Sequence, residues 1–268
     1  MEEKKEKTPY EKVMLARHKD RWKITDYIDV LFEDFIELKG DRLLGEDSSI
    51  LGGIALFHGT PVTVIGHRKG KTTEENIQYN FGMTSPEGYR KAVRLMKQAE
   101  KFNRPVITFI DTPGAYPGME AENHGQSIAI AESIAAMTKL ETPIISVITG
   151  EGSSGGALAI GVADRVWMQE NAVYSILSPE GFATILWKDA KRAEEASNIM
   201  KITAQELKEF GLIDGILPEG KNCFSALDHM LQIELANLQK LSKKELAASR
   251  YKKFREIDKK YKPEKGAK

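Results

Sequence analysis

The residues of this chain best placed for chemistry lie in two glycine-rich loops. Gly152-Ser153-Ser154-Gly155-Gly156-Ala157 puts three glycines within five residues, so the backbone can bend sharply and approach a ligand closely. The run Pro143–Thr149 before it predicts a buried strand, and Ala157-Leu158-Ala159-Ile160-Gly161 after it predicts a small-residue helix. First-turn N–H groups of a helix lack internal partners, and the helix dipole adds positive potential there. Such a loop suits an anion or a developing oxyanion. A tight turn that lets a helix pack closely on a sheet requires the same residues. The second loop, Asp111–Gly118, follows Pro105–Ile110, another predicted strand, and is braced by Pro113 and Pro117.

Competing motifs overlap these loops. Gly152–Gly156 also fits G-x-S-x-G, with Ser154 as a nucleophile. That chemistry needs a downstream histidine, and the only one is His229, in a predicted helix. Gly66–Thr72 imitates a P-loop, but has three residues between its glycines where the motif has four. Asp111-Thr112-Pro113-Gly114 imitates D-x-x-G of GTPases, without an N-K-x-D partner. His18, His58, His67, His124 and His229 show no metal-ligand spacing, so no metal site is expected. No compact acid/base cluster stands out. A reaction stabilised mainly by backbone N–H groups is the economical reading.

The elements that must position these loops alternate strand with helix. A helix is expected over 26–39, with Thr25 as its cap. Ile50–His58 and Pro61–His67 read as a hairpin around Gly59-Thr60. Ser85-Pro86 opens a helix to about Phe102, and another covers about Gly125–Leu140. Gly150–Gly156 reads as loop. Asp164–Met168, Ala172–Ile176 and Leu212–Leu217 read as strands. Helices follow Ser178-Pro179-Glu180 and the capping box Thr203–Glu206, with Gly211 as a stop, and a long one starts near Phe224. Thr73–Asn80 carries no helix signal. Such alternation predicts an α/β fold with parallel crossovers.

The 268 residues carry 39 Lys/Arg and 39 Asp/Glu, so the net charge is zero and a globally basic nucleic-acid binder is not expected. One cysteine, Cys223, precludes an internal disulfide or a multi-cysteine zinc site. No apolar run approaches a membrane span and the start lacks a secretory core, so a cytoplasmic location is expected. Three stretches are expected: an N-terminal segment 1–24, a main domain 25–240 and a basic, helical tail 241–268. That tail holds 11 basic and four acidic residues, +7 against −7 for the remainder. Tyr251, Phe254, Ile257 and Tyr261 recur at helical spacing. The tail reads as a solvated helix end, or else as a contact for an acidic partner.

Longer strings carry a resemblance. ARHKDRWKITDYID, SPEGYRKAVRLM, FIDTPGAYPGMEAENHGQSIAIA, TGEGSSGGALAIGVADRV and ITAQELKEFGLIDGI closely resemble the alpha subunits of bacterial acetyl-CoA carboxylase carboxyltransferases, over roughly residues 10–220. The resemblance implies a crotonase-like fold of repeated ββα units, related to Clp protease. It implies a partner beta subunit carrying a zinc ribbon, in an α2β2 heterotetramer. The implied reaction moves a carboxyl group from biotin on the biotin carboxyl carrier protein to acetyl-CoA. Malonyl-CoA for fatty acid biosynthesis is the product, and ATP is used by a separate biotin carboxylase. In that chemistry the released ureido anion serves as base and two oxyanions need stabilising. Gly155 and Gly156 carry over as one backbone donor, and Gly114 and Ala115 as the other. Tyr116, Ser154 and Ala157 carry over to the biotin-side pocket. The alternative is a stand-alone crotonase-like hydrolase or hydratase acting on an acyl-CoA.

Overall fold

In the computed structural model, which describes residues 7–260, Thr8 opens the first helix, α1 (Pro9–Ala16). Its hydroxyl accepts the Glu11 N–H while the Glu11 carboxylate accepts the Thr8 N–H. α2 (Ile24–Leu31) is capped by Asp26, which accepts the Lys23 N–H at 2.7 Å, and not by Thr25. It stops well short of residue 39. Residues Glu33–Glu37 form an edge strand, β1, paired antiparallel with β2 (Ile50–Phe57). The helical spacing of 28–38 misleads because Asp34 adopts φ 51° and Ile36 pairs with Ile54. A Cβ on Gly53 would lie 2.1 Å from the Ile36 carbonyl oxygen, so the glycine admits that strand.

The hairpin of β2 and β3 (Thr60–His67) turns at His58 and Gly59, one residue earlier than expected. Both turn residues have positive φ, 46° and 74°, the signature of a type I′ turn. α3 (Thr73–Gln78) follows where no helix was expected, started by a Thr72–Glu75 capping box. α4 (Pro86–Lys101), β4 (Val106–Thr112), α5 (Met119–Asn123), α6 (Gln126–Lys139) and β5 (Ile144–Ser153) complete two crossovers. The Ser85 side chain makes no cap bond to α4. Then come α7 (Ser154–Leu158), β6 (Arg165–Gln169), β7 (Val173–Ser175), α8 (Pro179–Trp187), α9 (Ala193–Met200) and α10 (Ala204–Glu209). β8 (Gly215–Leu217), α11 (Cys223–Leu238) and α12 (Lys243–Lys260) close the described chain. β8 is half the expected length.

The sheet order is β1-β2-β3-β4-β5-β6-β8, with β7 paired to the far end of β5. From β3 onward all pairings are parallel. Side chains alternate between two apolar layers, as strand geometry requires. Val106 and Ile110 pack with Leu95, Met96 and Met137. Ile107 and Phe109 pack with Tyr27, Ile28 and Leu231.

Buried contacts cross both expected segment boundaries. Val13 and Ala16 of α1 pack with Val173 and Ile202. On α12, Leu246 is buried and Arg250 is wholly buried, against the reading of a solvated end. The Arg250 guanidinium donates to Asp164 at 3.0 and 2.8 Å and to the carbonyls of Met137, Leu140 and Thr142. Tyr251 is exposed and Phe254 rests on the core, while Tyr261 lies outside the described residues.

Candidate active site

The parallel strands β3, β4 and β5 all end at one edge of the sheet, where a buried carboxylate ties them together. Asp111 on β4 accepts from Lys69 Nζ at 2.6 Å and from the Glu151 N–H at 3.0 Å. A Cβ on Gly150 would sit 2.3 Å from Asp111 Oδ1, so only glycine lets β5 pass this group. Burial alone would raise the Asp111 carboxyl. Lys69, the Glu151 N–H and the nearby Lys23 outweigh it and hold the group below the usual carboxylate range. His67, at the end of β3, is buried, and its ring lies against the Gly156 backbone. Burial pushes its imidazole down to about 3, so it is neutral at physiological pH.

β5 runs on past Thr149. Glu151, Gly152 and Ser153 pair with β7, so Gly150–Ser153 is strand where loop was expected. The turn that remains is compressed into Ser154, an exposed residue at φ 56°. α7, which begins at Ser154, has only five residues, so helix-dipole support is less than the sequence promised.

The two predicted loops meet here. Gly156 is buried, and a Cβ on it would lie 2.7 Å from the Gly114 carbonyl carbon and 2.8 Å from the Ala115 nitrogen. The Gly114 N–H is taken by Thr112 Oγ1 at 3.1 Å. The Tyr116 N–H goes to the Thr84 carbonyl at 3.0 Å, and Gln126 Nε2 also reaches Thr84 and Tyr116. These bonds pin the loop on either side of Ala115. Among the described residues no oxygen accepts from the N–H groups of Ala115, Gly155 or Gly156. Three unclaimed donors therefore lie on the Ala115 loop and on the abutting first turn of α7.

Ser154 and Gly155 border an apolar cavity of about 710 Å³, whose walls include Leu158, Phe182, Ile202 and Phe210. Lys201 is its one charged lining residue. Of the residues carried over to a pocket, only Ser154 lines this cavity. Tyr116 lines a separate, polar cavity of about 330 Å³ with Asp47, Glu87 and His124, and Ala157 is buried in the core.

Ser154 has the positive φ of a nucleophile elbow, but no histidine or carboxylate lines its cavity, and His229 is exposed on α11. The P-loop imitation also dissolves, because Lys71, at the position of the motif's lysine, is paired with Asp26 at 2.6 Å. Among the described residues no group of three or more His, Cys, Asp or Glu could hold a metal, and no helix is long and apolar enough to cross a membrane. Sequence reasoning missed the residues beneath the loops: Lys23, Lys69, Asp111 as a brace, Glu151, and the arginines of the N-terminal segment. Arg17 bridges Glu151 and Glu180, and Arg21 reaches the Thr149 carbonyl, Gln169 and Glu219. The four-residue spacing of Arg17 and Arg21 was the only available signal.

The sheet and its flanking helices form the crotonase-like α/β scaffold shared by carboxyltransferases of known structure. The chain belongs to the family described as acetyl co-enzyme A carboxylase carboxyltransferase-like, whose profile matches residues 2–258. It is 54% identical, over 97% of both chains, to the acetyl-coenzyme A carboxylase carboxyl transferase subunit alpha of Clostridium acetobutylicum. It is 55% identical to a beta/alpha protein of Natranaerobius thermophilus, matching 94% of this chain and 43% of that one. The 12S transcarboxylase crystallised with methylmalonyl-coenzyme A shares the fold at a TM-score of 0.71 and 18% identity. That match covers 84% of this chain and less than half, 43%, of the transcarboxylase chain.

Proposed function

We propose that this chain is the alpha subunit of an acetyl-CoA carboxylase carboxyltransferase and forms the side of the active site that receives carboxybiotin. The observation that carries the reading is the set of unclaimed N–H groups on Ala115, Gly155 and Gly156, of which Gly155 borders an apolar cavity. A fused bicyclic urea is an apolar body with one polar end, which suits apolar walls with N–H donors at the mouth. Carboxybiotin supplies the carboxyl group and, once that group leaves, a basic ureido nitrogen. The chain's own part is to bind and orient. Ala115 and Gly155 offer N–H groups to the ureido oxygen, with Gly156 beside them, and the walls keep water away. Lys201 is the cavity's one charged lining residue, and the reaction needs no side-chain base from this subunit.

An alpha subunit implies a beta partner, and the beta/alpha protein of Natranaerobius joins the two names in one chain. The beta subunit supplies the acetyl-CoA half and a zinc ribbon, in an α2β2 assembly served by the carrier protein and biotin carboxylase. The product is malonyl-CoA. The test is malonyl-CoA formation from acetyl-CoA and carboxybiotinylated carrier, with this chain alone, a beta subunit alone, and both. Turnover is expected only from the pair. Robust turnover by this chain alone would overturn the divided site.

A further inference from the structure

The cavity beside Gly155 has one wall, α8, that a distant arginine ties to the strand leading into the site. Phe182 of α8 lines the cavity, and Ala183 is buried. Ile185 and Leu186, one turn further along α8, are exposed. α8 packs mainly on α9, which in turn packs on α1. Its first turn carries Glu180. Arg17, just past α1, donates through Nη1 to Glu180 Oε1 at 2.7 Å and through Nη2 to Glu180 Oε2 at 3.2 Å. The same guanidinium donates through Nε and Nη2 to Glu151 Oε1 at 3.0 and 2.7 Å.

Glu151 is fixed. It is buried in β5, and its N–H is held by Asp111, which holds Lys69 in turn. An unbroken line of charge-assisted bonds therefore runs from Lys69, just past β3, through β4 and β5 to the first turn of α8. Ser154 stands three residues beyond Glu151, so Arg17 fixes the distance between one wall of the cavity and the strand that delivers the donors. Five planar donors suit such a bridge, and a lysine ammonium cannot span both carboxylates with the same geometry.

We infer that Arg17 is a positioning residue: it locks α8 against β5 and so sets the width of the cavity that receives the carboxyl donor. The inference rests on the proposed function only for the identity of that donor.

The test uses Arg17→Gln, Arg17→Lys and Glu180→Gln in the complete complex with the beta subunit. Amide hydrogen exchange is followed along this chain, together with steady-state kinetics for both substrates. Exchange over residues 179–187 is expected to quicken by about tenfold or more in Arg17→Gln and Glu180→Gln, with β2 and β3 unchanged. The KM for carboxybiotinylated carrier is expected to rise by about tenfold with kcat within about twofold and the KM for acetyl-CoA unmoved. Combining the two Gln substitutions should add little, because both break one bridge. Arg17→Lys should restore only part of the protection. Unchanged exchange over 179–187, or quickening spread over the whole chain, would overturn the inference. Quickening confined to 179–187 with the donor KM unmoved would uphold the lock and instead remove the cavity from the donor site.

Discussion

Gly156 faces the Gly114–Ala115 peptide with no room for a single added carbon. A Cβ there would have to displace backbone, not a flexible side chain, because both nearest atoms belong to the main chain. That contact sets the separation between the Ala115 N–H and the Gly155 N–H.

Gly156→Ala should therefore separate the donors while leaving the sheet intact. Losing one such donor costs about 100- to 1000-fold in kcat, and a fall in this range is expected. Circular dichroism and beta-subunit binding check that the variant is folded and assembled. Near-normal kcat in an assembled Gly156→Ala complex would show that this contact does not align the donors.

Ser154→Ala should keep kcat within about threefold, because the site then uses the backbone of this turn and not its hydroxyl. Ser154→Gly should be the more stable of the two, by about 1 kcal/mol, since glycine holds a left-handed conformation without a Cβ penalty. Denaturant titration ranks them. Abolished turnover in a folded Ser154→Ala complex would restore the nucleophile reading.

Arg250→Met leaves the buried Asp164 carboxylate without its cation. Breaking a buried pair from one side costs about 3–5 kcal/mol, and a loss of that order is expected in urea unfolding. Deleting residues 249–268 should do at least as much harm, at low and at high salt alike. An unchanged midpoint would mean that the tail is dispensable.

Stability should fall in mild acid because His67 is buried and neutral. Its pKa is about 3 in the folded chain against an ordinary 6.5, so the unfolded state binds more protons between those values. The penalty is absent above about pH 7 and grows as pH falls from 6.5 toward 3, by at most about 1.4 kcal/mol per pH unit. Asp111, held low, adds its own loss only below the ordinary carboxylate range. Unfolding midpoints of the native chain and of His67→Gln between pH 7.5 and 5 should converge as pH falls. Parallel curves would remove His67 as the source.

Much of this was legible in the sequence wherever local pattern and global fold agreed. The hairpin, though expected one residue late at Gly59-Thr60, and the strands beginning near Val106 and Ile144 follow from apolar runs, whereas the pairing of Gly114–Ala115 with Gly155–Gly156 came from the family resemblance. Local pattern failed where long-range pairing decided the outcome. Residues 33–37 became strand because β2 offers them an edge and Gly53 makes room. Gly150–Ser153 stayed strand because Asp111 and β7 hold it. The brace of Lys69, Asp111, Glu151 and Arg17 joins residues up to 134 positions apart, and no local spacing announces it. Arg250 looked like one cation of a basic run; only Asp164, 86 residues away, distinguishes it.

The position of Arg250 in the chain order also bears on how the protein is made. Its guanidinium closes the carbonyl end of α6, the helix connecting the two strands that deliver the donor loops. A growing chain exposes Asp164 and the last carbonyls of α6 long before the residue that satisfies them has been synthesised. The centre of the molecule thus reaches its final form only as α12 emerges, and a product cut short before residue 250 retains every residue of the donor loops yet lacks the closure that fixes them.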